Sequence, residues 1–228
     1  MSRKSYIINL NRLFKWLDIK FNRVIFLFAI IYSFGAIGLA LDYTFNLFVN
    51  LTPLILILTA IVLIFYHQNK NNLIWQILTF FIICVVSFFI EVIGANYKFI
   101  FGDYSYGQTL GLKLFSTPII IGLNWLFLVY TTASILEIFK LNEFIKVILS
   151  SLLMVAYDLA LEMVAPRLDM WHWKDNKPPL QNYISWFIIA LIFHSILRLF
   201  KIQITNKIAP AFFIIQIMFL IILAFVLD

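Results

Sequence analysis

The chain has 228 residues, 63% of them hydrophobic and 12% charged, a composition that no water-soluble domain could carry on its surface, so it reads as a polytopic membrane protein. The formal net charge of +6 would suggest nucleic acid in a soluble protein, but six of the seventeen basic residues precede the first apolar run. That pattern points to anionic lipid headgroups and topology, with no nucleic-acid partner. The single cysteine, Cys84, sits inside an apolar run, which excludes an intrachain disulfide framework and a thiolate zinc site.

Residues 1–23 carry Arg3, Lys4, Arg12, Lys15, Lys20 and Arg23, with Ile7, Leu10, Phe14, Leu17 and Phe21 between them at steps of three and four. The spacing predicts a basic interfacial helix lying on anionic headgroups. A cleaved signal peptide fits less well, because the next apolar run is long and no small-x-small site follows it. Seven runs near the ~20 residues needed to span a bilayer follow: Val24–Leu41, Leu51–Tyr66, Leu73–Ile93, Pro118–Ile138, Phe144–Val164, Tyr183–Phe200 and Ala209–Leu227. In lipid such runs must be helical unless a barrel closes, and nothing alternates with period two. The expected fold is an all-α integral membrane protein, a single bundle of about seven transmembrane helices over residues 24–228, with no repeat or linker dividing it.

With the N-terminus inside, the inner segments hold twelve Lys and Arg residues and the outer loops five, which favours that orientation in the cytoplasmic membrane. The two longest loops, 94–117 and 165–182, then lie outside. The acids Glu91, Asp158 and Glu162 fall in the outer halves of spans three and five, where they could converge.

The stretch 158–186 concentrates the chemistry. Asp158 and Glu162 are four residues apart, on one face of a helix and about 6 Å from each other. Pro166 limits how far that helix continues. Trp171, His172 and Trp173 form an aromatic cluster before Pro178 and Pro179, and Gln181, Asn182 and Trp186 open the next span. A carboxyl group at this depth costs roughly 2.5–3.5 kcal/mol even on the lenient insertion scale, so it should face the bundle or a wet cavity. A carboxylic acid that keeps its proton there is what general acid chemistry requires. Asn124, six residues into span four, would sit at a similar depth and could supply a hydrogen bond.

Each of these residues also has a plainer reading. The acids and Asn124 could join helices, and Tyr97, Tyr104, Tyr106, Trp171, Trp173 and Trp186 could form an aromatic belt at the membrane interface. Three acids at one level favour a site, and aromatic rings could shield a carbocation through their quadrupole. His172 reads as an interfacial polar residue, His194 as an interhelical hydrogen bonder and His67 as part of an inner loop. Asp158 and Glu162 could bind Mg²⁺ as in membrane prenyltransferases, but no second Asp-rich cluster follows. Glycine-rich phosphate loops, GxSxG and HExxH are absent, and span seven has no lysine for a retinal Schiff base.

The run from Glu91 through GANYKFIFGDYSYG, the polar start of span four, LMVAYDLALEMVA at 153–165, the WHW triplet and QNYISW at 181–186 resemble the carotenoid biosynthesis membrane proteins of bacteria and archaea. That family includes γ-carotene 1′,2′-hydratases and bisanhydrobacterioruberin hydratases. The likeness covers roughly spans three to six, and the link between WHW and QNYISW is short and lysine-rich. The resemblance implies addition of water, without metal, flavin or nucleotide cofactor, to the terminal double bond of an acyclic carotenoid end group drawn from the lipid phase. Asp158 would be the proton donor, and Glu91 or Glu162 would orient the water. Asn124, Tyr97, Tyr104, Trp171, Trp173, Asn182 and Trp186 are the candidates for contacting substrate. Rival readings are a membrane prenyltransferase or cyclase acting on isoprenoids, a proton-coupled carrier, and a non-catalytic partner in a pigment complex.

Overall fold

The computed structural model describes residues 3–68 and 72–227, with side chains from residue 21 onward. It contains seven long helices, α1 (Arg3–Ala40), α2 (Asp42–Phe65), α3 (Leu73–Tyr97), α4 (Ile120–Glu137), α5 (Glu143–Glu162), α6 (Leu180–Leu199) and α7 (Ala209–Val226). Every one holds a stretch long and apolar enough to cross a membrane. Helices close their own backbone hydrogen bonds, the requirement that lipid imposes on a spanning segment.

α4 is the central element, packed against α3, α5 and α7 and also touching α2 and α6. Gly122 permits part of this: a Cβ there would lie 2.4 Å from the carbonyl oxygen of Cys84 on α3, so only glycine lets the two helices approach this closely. α5 packs on α6, and α1 packs on α7 and α2.

Several boundaries differ from the sequence expectation. α2 begins at Asp42, nine residues before the predicted Leu51, because the polar stretch DYTFN opens the helix instead of forming a loop. α3 runs four residues beyond Ile93, which places Glu91 inside the helix. α5 stops at Glu162 with its cap at Met163, two residues short of Val164, and a series of turns covers 163–169. The backbone of α1 is helical from Arg3 without a break at residue 23. The side chains of residues 1–20, on which the interfacial reading depends, lie outside the described residues, as does Lys70.

The all-α bundle is as expected, and the two long loops add short strands to it. β1 (Tyr104–Tyr106), from the α3–α4 loop, pairs antiparallel with β4 (Trp171–Trp173), from the α5–α6 loop, in the register Tyr104 to Trp173, Ser105 to His172 and Tyr106 to Trp171. A small hairpin, β2 (Lys113–Leu114) and β3 (Thr117–Pro118), leads into α4. Asp169 fastens the two loops together: Oδ2 accepts from the Gln108 amide at 2.8 Å and Oδ1 pairs with His172 Nε2 at 2.8 Å. The Gly107 amide donates to the Met170 carbonyl at 2.9 Å. A Cβ on Gly107 would fall 2.1 Å from the Asp169 carbonyl oxygen, so this crossing too requires glycine.

At the opposite end of the bundle, Lys146 Nζ donates to Glu137 at 2.8 Å and to Glu143 at 3.0 Å. Arg198 pairs with Glu137 and, at 2.8 Å, with Glu143. His67 bridges Tyr130 and Gln76 at 2.8 and 2.6 Å. Asn206 holds the Tyr130 hydroxyl and the Leu63 carbonyl, both at 2.9 Å. His194, deep in α6, meets Thr132 of α4 at 3.2 Å, the interhelical bond expected of it.

Candidate active site

Glu91, Asp158 and Glu162 come together. All three line one small cavity of about 30 Å³, with Asn124, Trp125, Asn182, Trp186 and the inward faces of β1 and β4. That volume holds about one water molecule. Among the described residues no lysine or arginine lines it, so the carboxyl groups are met by neutral donors.

Each acid has a distinct set of partners. Glu91 Oε2 accepts from the Tyr104 and Tyr106 hydroxyls, each at 2.7 Å, and its Oε1 accepts from the Trp125 indole N–H at 2.9 Å. Glu162 Oε2 accepts from the Trp173 and Trp171 indoles at 2.7 and 3.2 Å, while its Oε1 has only a long 3.5 Å contact from Asn182. Asp158 is fully buried; Asn182 Nδ2 donates to its Oδ2 at 2.8 Å. Its other oxygen, Oδ1, is buried without a hydrogen-bond partner among the described residues. Buried polar atoms are nearly always paired, so an orphan inside a cavity calls for a reason.

The strand pair supplies the donors because of its pleat. Side chains alternate across a strand, so Tyr104, Tyr106, Trp171 and Trp173 point inward while Ser105 and His172 point out. Burial, and after it the charge of Glu91, holds the Tyr104 and Tyr106 phenols well above their ordinary value, so both remain protonated donors. Rings pack round the cavity: Trp125 stacks on Trp186 with centroids 4.2 Å apart, and Tyr104 lies 5.1 Å from Trp173.

Next to this cavity lies a second, almost wholly apolar cavity of about 410 Å³, walled by α1, α2, α4, α5 and α7. The two share Ile121, Asn124, Leu161 and Trp171. Asn124 stands at the junction with no hydrogen-bond partner among the described residues. A volume in the ~300–1,000 Å³ range of small-molecule sites, lined mainly by apolar groups and sharing Asn124 with the acid cavity, suits an apolar ligand.

A family model of carotenoid biosynthesis proteins matches residues 51–228. The chain belongs to this family. The match takes in α2 and α7 as well as the central helices, so kinship extends beyond the spans three to six that carried the sequence resemblance. Membership gives this carotenoid biosynthesis protein a role in making carotenoids, as a multi-pass membrane protein with seven candidate spans. No curated protein and no solved structure matches it.

Of the residues singled out in this carotenoid biosynthesis protein from its sequence, the cavity gathers Glu91, Asp158, Glu162, Asn124, Tyr104, Trp171, Trp173, Asn182 and Trp186. Tyr97 is different: it ends α3 with its side chain 73% exposed and lines neither cavity. The four aromatics of β1 and β4 face carboxyl groups and not an interface, which overturns the belt reading for them. Trp125 escaped notice because an indole in an apolar span looks like core. Its place beside Asn124, at the polar start of span four, was the available signal. YSY and WHW do alternate with period two, but three residues are too few for the pattern to register.

Proposed function

We propose that this protein is a carotenoid hydratase, acting on the terminal double bond of an acyclic end group. The observation that carries this is Asp158 Oδ1, buried and unpartnered among the described residues, beside a cavity that shares four wall residues with an apolar one. The hydroxyl hydrogen of an acid at that oxygen has no protein acceptor, which leaves it free for a carbon base. The polyene lies in the apolar cavity with its end group passing between Ile121, Leu161 and Trp171.

Proton transfer from Asp158 breaks the π bond, forms a C–H bond at the less substituted carbon and leaves a tertiary cation. Trp171, Trp173, Trp125 and Trp186 present rings to it, and a desolvated cation over an indole face gains ~2 kcal/mol or more. A water in the acid cavity then bonds to the cationic carbon. Glu162 Oε1, the least occupied carboxylate oxygen after Asp158 Oδ1, takes the water's surplus proton and returns it to Asp158. Glu91, filled by three donors, serves as a fixed negative charge at the developing cation. Asn124 meets the incoming end group and the water at the junction. Side chains and water account for each step, which fits a cofactor-independent reaction. The protein would sit in the cytoplasmic membrane with its N-terminus inside and the acid cavity towards the outer face.

Expression in a bacterium that makes lycopene or γ-carotene, grown in H₂¹⁸O, tests this. The expected result is a new pigment heavier by one water and carrying the label in its hydroxyl. A pigment of altered mass without added water, or a change that depends on Mg²⁺ and diphosphate, would favour prenyl transfer or cyclisation. An unchanged pigment profile from well-expressed protein would refute hydration.

A further inference from the structure

A hydratase embedded in lipid needs water, and the apolar cavity that admits the polyene offers none. Glu162 lines the acid cavity and also a separate open groove on the flank of the bundle, formed by Leu159, Ala160, Met163, Pro178 and Tyr183. Glu162 is buried at 8% exposure and, among the described residues, is the one that lines both spaces. The groove belongs to the end of α5 and the start of α6, beside the exposed Lys174, Asp175 and Lys177 of the connecting loop. Charged side chains at this level keep it among hydrated headgroups.

We infer that this α5–α6 groove is the inlet for water, with Glu162 as its gate, so that the two reactants reach the acids from separate spaces. The inference rests on the hydratase reading and adds the route of the second substrate. Each turnover consumes one water: its oxygen and one hydrogen become the product hydroxyl, and its other hydrogen replaces the proton that Asp158 gave. Both hydrogens therefore enter with that one water, past Glu162. Asn182, whose amide reaches Asp158 at 2.8 Å and Glu162 at 3.5 Å, ties the donor and the gate together.

The test plugs the groove. In a Cys84→Ser background, Met163→Cys is labelled with benzyl methanethiosulfonate, with Leu152→Cys, about three turns deeper on α5 and exposed, as the control. Hydration of an acyclic carotenoid in detergent and retention of the carotenoid, followed by polyene absorption, are measured before and after labelling. Labelling at position 163 is expected to lower hydration at least tenfold with carotenoid retention unchanged, while labelling at position 152 alters neither. Leu159→Cys, on the same wall, serves if Met163→Cys does not fold. Equal hydration by labelled and unlabelled protein would overturn the inlet, as would loss of carotenoid retention together with activity. Failure of the unlabelled protein to hydrate any acyclic carotenoid would instead refute the hydratase reading, and the inlet with it.

Discussion

Both ends of this bundle gather carboxyl groups, but they treat them in opposite ways. At one end Glu137 sits between Lys146 and Arg198, charge answered by charge, with Glu143 completing the set. At the other, Glu91, Asp158 and Glu162 face only hydroxyls, indoles and an amide around an open space. An ion pair of the first kind fixes helices relative to one another and leaves no proton to give. Acids met by neutral donors keep their chemistry available, and one oxygen without a partner gives that chemistry a direction.

The contrast fails if the two ends respond alike to mutation. The largest effect is expected from Asp158→Asn, which keeps the Asn182 contact and removes the transferable proton: hydration should fall ~10²–10⁴-fold with the unfolding temperature in detergent held. Pigment mass spectrometry at matched expression reads this, and near-normal activity would remove Asp158 from the mechanism. Next, Glu137→Ala leaves Lys146 and Arg198 with Glu143 alone and should cost ~1.5–3 kcal/mol of stability. Unfolding in detergent measures that loss, and hydration per folded molecule should stay at the wild-type level.

Tyr106→Phe sharpens the comparison from within the site. It removes one of three donors to Glu91, a hydrogen bond to a charged group worth ~1.5–3 kcal/mol, so kcat should drop ten- to about a hundredfold with little change in KM. The smallest effect concerns the fastening between the loops. Hydrogen bonds from His172 and the Gln108 amide hold the Asp169 carboxyl below its ordinary value. A group lowered on folding stabilises above its unfolded pKa, near 3.9, and loses that contribution as pH falls through the lower folded value. Amide exchange at residues 107–109 and 169–173, corrected for intrinsic rates, should therefore quicken only under strongly acid conditions in the wild type, and already at neutral pH in Asp169→Asn.

The helices were legible because lipid imposes a single rule: a run of ~20 apolar residues must close its own hydrogen bonds. The exception, Asp42–Asn50 at the start of α2, is polar enough to read as loop, yet it continues a helix whose later turns are apolar. The acids were legible for the complementary reason, that a carboxyl group in lipid demands an explanation. Their convergence was not, since it depends on α4 lying between α3 and α5, and Gly122, which permits the approach, looks like any glycine in an apolar run. Trp125 and the inward turn of Tyr104, Tyr106, Trp171 and Trp173 were hidden for a related reason. The donors come from a strand pair whose members lie 65 or more residues apart in the chain, and only tertiary packing brings three residues of each into register.

That register also limits how such loops can change length over time. Because neighbouring positions on a strand face opposite ways, an insertion or deletion of one residue within Tyr104–Tyr106 or Trp171–Trp173 would turn Ser105 or His172 inward and the aromatic donors away from Glu91 and Glu162. Lineages that diverge in these loops should therefore gain or lose residues on either side of the strands, between Gln108 and Leu112 or between Asp175 and Pro178, and keep the spacing of YSY and WHW.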